Sequence, residues 1–118
     1  MEWPGPLETV EEVEIETRRT DGAPVHRTVI WVVVTDGDVY VRSLRGEDGR
    51  WWRELMAMPD AALHVDGEAV PVRAIRSDDP DSVERATDGF RRKYADSPYL
   101  DSMIRDEIAS TTVRLEAR

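Results

Sequence analysis

Cysteine is absent from this chain of 118 residues, which rules out a disulfide framework, a thiol nucleophile and any thiolate metal site. Histidine is nearly absent too, with His26 and His64 alone. They fall in separate predicted strands with no carboxylate pattern beside them in the sequence, so neither a metal site nor a histidine general base is expected. Basic residues are outnumbered, 16 Lys and Arg against 25 Asp and Glu, for a net charge of −9. Tracking a nucleic acid backbone requires a basic face, and an anionic membrane makes the same demand; neither partner is expected. No apolar run approaches the roughly 18 residues of a membrane helix; the longest is Val29 to Val34. The opening MEWPGPLETVEEVEIE is acidic and has no basic start before an apolar core, so it does not read as a secretory signal, and the default location is cytoplasmic. Walker loop, nucleophile elbow and Rossmann glycine pattern are all missing.

What is present describes a folded chain. Apolar residues make up 40% and there are four tryptophans, which argues against disorder. The length fits one domain, residues 1–118, with 1–7 as an irregular arm containing Pro4, Gly5 and Pro6. Val10 to Arg18 alternates, with Val13, Ile15 and Thr17 on one face and Glu12, Glu14 and Glu16 on the other, as in a half-buried strand. His26 to Thr35 reads as one strand, apolar on both faces at its centre. A barrel interior fills one face only, so the other must meet a helix or a second subunit. Asp36-Gly37-Asp38 then forms a tight hairpin to Val39–Ser43.

Trp51 to Met58 predicts a short helix, with Trp51/Leu55 and Trp52/Met56 at i, i+4. Ala62–Val65 and Ala69–Ile75 form a second hairpin about Asp66-Gly67, with Pro71 marking an edge position or a strand start. A helix following Ser77–Pro80 carries Val83, Ala86, Thr87, Phe90 and Tyr94 on one face, and another spans about Tyr99 to Ala109. Thr111–Leu115 closes the chain as a strand. The expected class is α+β: a six-stranded antiparallel barrel with one short internal helix and two helices in the C-terminal half.

The stretch VYVRSLRGEDGRWWRELM, Val39 to Met56, carries most of the functional signal. Cationic, hydroxyl and backbone N–H donors meet broad aromatic surface at a strand-to-helix junction, a combination suited to a phosphate and a flat ring. A solvated Arg-rich loop before a helix with core tryptophans is the plainer alternative. With so few acid–base side chains, an enzyme built on this chain would rely on a cofactor for the chemistry.

A strand with Arg27-Thr28, a strand ending VYVRS, a glycine-containing loop, a WW helix start, the FRRKYA helix end and a final STTVRL strand together resemble a family of small bacterial proteins. That family is related to the split-barrel flavin-binding superfamily, which includes pyridoxamine-phosphate-oxidase-like proteins and deazaflavin-dependent nitroreductases. The resemblance implies a six-stranded split barrel that forms a homodimer, with FMN or a deazaflavin in a groove near the dimer interface and no metal. It further implies that Arg27, Thr28, Ser43, Arg45 and Gly46 surround the cofactor phosphate and that Trp51 flanks the cofactor. Leu44-Arg45-Gly46 stands where the nitroreductases carry Gly-Gly, which crowds the approach of the backbone to a cofactor. Two activities follow: hydride transfer between such a cofactor and a small substrate, or a cofactor-free module binding a small anionic ligand or a protein partner.

Overall fold

The computed structural model describes residues 1–118. Seven strands run β1 Val13–Thr17, β2 His26–Ile30, β3 Val33–Thr35, β4 Asp38–Val41, β5 Asp60–Val65, β6 Glu68–Arg76 and β7 Val113–Ala117. Three helices, α1 Arg50–Ala57, α2 Pro80–Lys93 and α3 Leu100–Ile104, are joined by 3-10 turns at Gly5–Glu8, Gly46–Asp48 and Asp106–Thr111. All strands lie in one antiparallel sheet of order β2-β1-β5-β6-β7-β4-β3. Its two edge strands are neighbours in the chain, so the sheet curls until its edges are joined by Trp31 and Val32. The class is α+β, as expected.

The strand count is not as expected: seven rather than six. The predicted strand His26–Thr35 leaves the ladder at Trp31-Val32 and resumes at the opposite edge. Buried backbone groups can leave a ladder only where other partners satisfy them. Here α2 supplies those partners. The Val32 N–H donates to the Tyr94 hydroxyl at 3.3 Å, and the Lys93 ammonium donates to the Val32 carbonyl at 2.6 Å. Trp31 is pinned by stacking on Tyr94, ring centroids 3.8 Å apart and 3° from parallel.

The break also explains the two-sided apolar run. Ile30 and Val32 enter a core inside the curled sheet with Val13, Ile15, Val41, Leu63, Val72 and Leu115. Val33 enters a second core beneath α2, with Tyr40, Ala86, Phe90, Met103 and Ile108. Of the two covers open to the second face of the run, a helix supplies it for Val33.

Several local readings hold and two do not. Strand β1 buries Val13, Ile15 and Thr17 and turns Glu14 and Glu16 outward. Asp36 and Gly37 have φ of 51° and 83°, and Asp66 and Gly67 have 49° and 81°, so both hairpins turn with two successive positive φ angles. Pro71 lies at a local edge: its carbonyl accepts from the N–H of Arg118, just past the end of β7, where no further ladder donor is required. The predicted helix Tyr99–Ala109 is interrupted. Arg105 is extended, with φ −68° and ψ 148°, and its guanidinium donates to the Leu44 carbonyl at 2.7 Å. Residues 5–8 form a 3-10 turn whose Leu7 is fully buried in the sheet core.

Candidate functional site

Strand β2 and helix α1 meet where the edge of the curled sheet faces the loop after β4, and two recesses flank that meeting. The first is a cavity of about 280 Å³, lined mostly by apolar groups. Val29, Ile30 and Trp31 form one wall, Leu44 and Trp51 another, and Tyr99, Ser102 and Met103 a third. Arg42 and Glu12 are its charged members. Val29, Leu44 and Tyr99 are 56%, 51% and 68% exposed, an unusual grouping of open apolar side chains about one opening.

The second recess, about 260 Å³, is lined by the charged residues Arg19, Asp48, Arg50, Arg53 and Glu54 together with Ala57. Residues 50 and 51 are consecutive in α1, as are 28 and 29 in β2; Arg50 donates to the Thr28 hydroxyl at 3.4 Å, while Trp51 and Val29 line the aromatic cavity. An arginine-rich cleft and an aromatic cavity thus adjoin on α1, and the Arg50–Thr28 bond ties the cleft to β2.

The residues predicted to surround a phosphate do not share one opening. Trp51 lines the aromatic cavity and Thr28 touches Arg50. Arg27 points to the other side of β2, 2.9 Å from Glu14. The Ser43 hydroxyl is fully enclosed without a hydrogen-bond partner, against the Cα of Gly49. Gly46, at φ +68°, accepts the packing of Ile108 and makes the turn by donating to the Ser43 carbonyl at 2.9 Å. Arg45 is exposed at the start of the 3-10 turn. Ser43, two residues past the end of β4, is buried, and the loop that follows carries the exposed Arg45 away from its hydroxyl.

Two features were not legible in the sequence. His26 lies 3.1 Å from the buried carboxylate of Glu54, which also accepts from the Thr17 hydroxyl at 2.8 Å. Burial pushes the Glu54 carboxyl up, but the Thr17 and His26 hydrogen bonds and the charges of His26 and Arg50 outweigh it and hold the group below its usual range. The second feature is Arg42, 2% exposed and set behind the aromatic cavity. Its Nε donates to Thr112 at 2.8 Å, Nη1 to the Met103 carbonyl at 3.1 Å, and Nη2 to the Val83 carbonyl and the Thr87 hydroxyl at 2.9 and 2.8 Å. Phe90 lies beneath it, 5.4 Å from Cζ to ring centroid. Strand alternation places Arg42 opposite Ser43, but nothing in the local pattern marks it as buried.

No helix is long and apolar enough to cross a membrane. No curated protein matches the chain. Among solved structures it is similar to the conserved hypothetical protein Rv2991 of Mycobacterium tuberculosis, 18% identical with a TM-score of 0.66 over 92% of this chain and 74% of that one. It is similar to Atu2129 of Agrobacterium tumefaciens, described as of unknown function, 17% identical with a TM-score of 0.68 over 94% of this chain and 50% of that one. Its length therefore spans half of the Agrobacterium protein. An F420-H2 dependent reductase, FDR-A, is 12% identical with a TM-score of 0.66 over 92% of this chain and 98% of that one. At these identities the likeness speaks for the fold, and it agrees with the curled antiparallel sheet and its helices. Residues 6–115 match the family described as "Uncharacterized protein conserved in bacteria (DUF2255)", and the chain belongs to that family.

Proposed function

We propose that the protein is an oxidoreductase that binds a flavin-type cofactor, FMN or a deazaflavin, across the meeting of β2 and α1. The observation that carries this reading is the adjacency of an aromatic cavity and an arginine cleft that share α1 through the consecutive residues Arg50 and Trp51, with Arg50 reaching Thr28 of β2. The cavity, about 280 Å³, lies just below the roughly 300–1,000 Å³ of small-molecule sites. A planar ring or a small substrate suits it, and a whole cofactor does not. The remainder would extend toward the Arg50 side. Arg50, Arg53 and Arg19 would hold the phosphate with the Thr28 hydroxyl, and Trp51, Val29 and Leu44 would flank the ring. The similar fold of a reductase described as F420-H2 dependent supports a deazaflavin in particular.

Such a group, when bound, supplies hydride transfer. The chain's own residues bind, orient and keep water away. Trp31, Trp51, Ile30 and Met103 make the cavity wall apolar, which strengthens any electrostatic contact inside it. No histidine lines the cavity, so the protein adds no imidazole acid or base there. A homodimer completes the reading, a second copy covering Val29, Leu44 and Tyr99. Light scattering at the mass of the 13.5 kDa monomer would count against it.

A second reading is a cofactor-free module that binds a small anion. It is favoured by α3 and the residue before it, whose Tyr99, Ser102 and Met103 narrow the cavity. Fluorescence titration of the purified protein with FMN and with F420 separates the two. Saturable binding of either at tens of micromolar, weakened at least tenfold by Arg50→Ala with Arg53→Ala, is the expected result. Absence of binding by both would overturn the oxidoreductase reading in favour of the second.

A further inference from the structure

Arg42 presents an imbalance. A buried cation is costly unless paired, and all four of its hydrogen bonds go to neutral carbonyls and hydroxyls. Burial lowers its pKa to about 10, as expected for a guanidinium without a neighbouring carboxylate. Counting its donors leaves one hydrogen on Nη1 unspent. Nη1 already bonds to Met103, which is itself a wall of the aromatic cavity, and Arg42 lines that cavity too. The spare donor and the uncompensated charge therefore lie behind an apolar recess open to solvent.

We propose that this cavity binds a small apolar or aromatic carboxylate, its carboxylate meeting the Arg42 guanidinium and its hydrocarbon body lying among Ile30, Trp31, Trp51 and Met103. The walls argue for a monoanion. One spare guanidinium donor and the Ser102 hydroxyl are too few for the oxygens of a phosphate dianion, and the apolar remainder would desolvate it without repayment. The volume, about 280 Å³, limits the ligand to one or two rings. Glu12, the other charged group of the lining, is exposed and hydrated, so its repulsion is weak beside the attraction of a buried cation.

Binding stands on the cavity alone. The carboxylate would occupy the volume that the oxidoreductase reading gives to the cofactor ring, so its binding does not rest on that reading and the two ligands would compete for the cavity. The test uses the cofactor-free full chain and matched ligand pairs, benzoate against benzamide and phenylacetate against phenylacetamide, read by tryptophan fluorescence and by NMR shifts of the Trp51 indole and Ser102 amide. Each acid should bind at least about tenfold more tightly than its amide, because a charge-assisted bond replaces a neutral one. Glu12→Gln should tighten the acids about twofold and leave the amides unchanged. Arg42→Met should abolish the preference, and if that variant does not fold, the ligand pairs and Glu12→Gln still decide. Equal binding of acid and amide, no binding of either, or inorganic phosphate competing as well as the acids would overturn the inference. Acid-selective binding without binding of FMN or F420 would support the inference while overturning the oxidoreductase reading, and the reverse pattern would overturn the inference alone.

Discussion

His26 Nδ1 sits 3.1 Å from the carboxylate of Glu54, although the two residues lie 28 apart in sequence and on different elements. Thr17, which pairs with His26 across β1 and β2, donates to the same carboxylate at 2.8 Å. Three elements are thereby tied at one buried anion. Glu54→Gln should lower stability by about 1–3 kcal/mol, since it weakens two hydrogen bonds to a charged acceptor. The pH dependence follows from the lowered carboxyl. A group held below its unfolded value of about 4.3 contributes stability above that pH and loses it as the pH falls through the folded value. Urea unfolding should therefore show the gap between the wild type and Glu54→Gln closing between about pH 5 and pH 3. A gap that stays constant over that range would count against the buried ion as its source.

Ser43 and Gly49 are packed so closely that a Cβ on residue 49 would collide with the Ser43 hydroxyl. Gly49 has φ −64°, so its conformation alone would allow any residue. Space, not backbone freedom, demands glycine. Gly49→Ala should cost about 1–3 kcal/mol by overpacking. Ser43→Ala should be neutral or stabilising by up to about 1 kcal/mol, because the hydroxyl it removes has no partner. The double variant should recover much of the Gly49→Ala loss, a coupling that chemical denaturation of the four proteins would measure.

How far this was legible depended on where the determining contacts lie. The alternation of Val13, Ile15 and Thr17 with Glu14 and Glu16 is a local pattern, and the structure follows it. Both Asp-Gly hairpins were equally local, since the turn itself selects residues that tolerate positive φ. The break at Trp31-Val32 was hidden because Val29 to Val34 is uninterrupted β-branched and aromatic sequence. What bends it are Lys93 and Tyr94, about 60 residues away. The candidate site divides in the same way. Trp51 belongs to the junction motif and Thr28 entered through the family resemblance, whereas the roles of Arg42 and Glu54 arise from Met103, Thr112, Thr17 and His26, none of which is a sequence neighbour.

Gly89 marks the closest approach of α2 to the sheet. A Cβ there would come 2.8 Å from the Thr35 hydroxyl and 3.0 Å from the Val33 side chain. In a free helix, Gly→Ala is worth about 1 kcal/mol in favour of alanine. Here the clash should reverse the sign. Gly89→Ala is expected to destabilise by about 1–2 kcal/mol net, as strain of the 1–3 kcal/mol kind exceeds the propensity gain. A rise in the thermal midpoint would mean that α2 can shift away from β3 at little cost.

Lys93 clasps two carbonyls, those of Leu7 at 2.7 Å and Val32 at 2.6 Å, and so holds the N-terminal turn to the break between β2 and β3. Burial lowers its pKa from 10.5 to about 8. Simple intuition has the clasp weaken as the charge is lost. Linkage gives the opposite sign. Between pH 8 and 10.5 the unfolded chain holds the Lys93 proton and the folded chain does not, so stability rises with pH as far as this group is concerned. The neutral amine still donates, which keeps the carbonyls satisfied. Tyr94 acts in the other direction only at higher pH, because burial raises its hydroxyl from 10.0 to about 12 and the unfolded phenol ionises first. Urea midpoints should therefore increase between about pH 7.5 and pH 9.5 in the wild type. Lys93→Met should flatten that rise. It should also lower stability at neutral pH by about 1–3 kcal/mol, by removing the ammonium from the Leu7 carbonyl and leaving the Val32 carbonyl only the longer 3.3 Å bond from the Tyr94 hydroxyl. A wild-type midpoint that falls over the same interval in step with the Lys93→Met protein would show that the clasp does not titrate there.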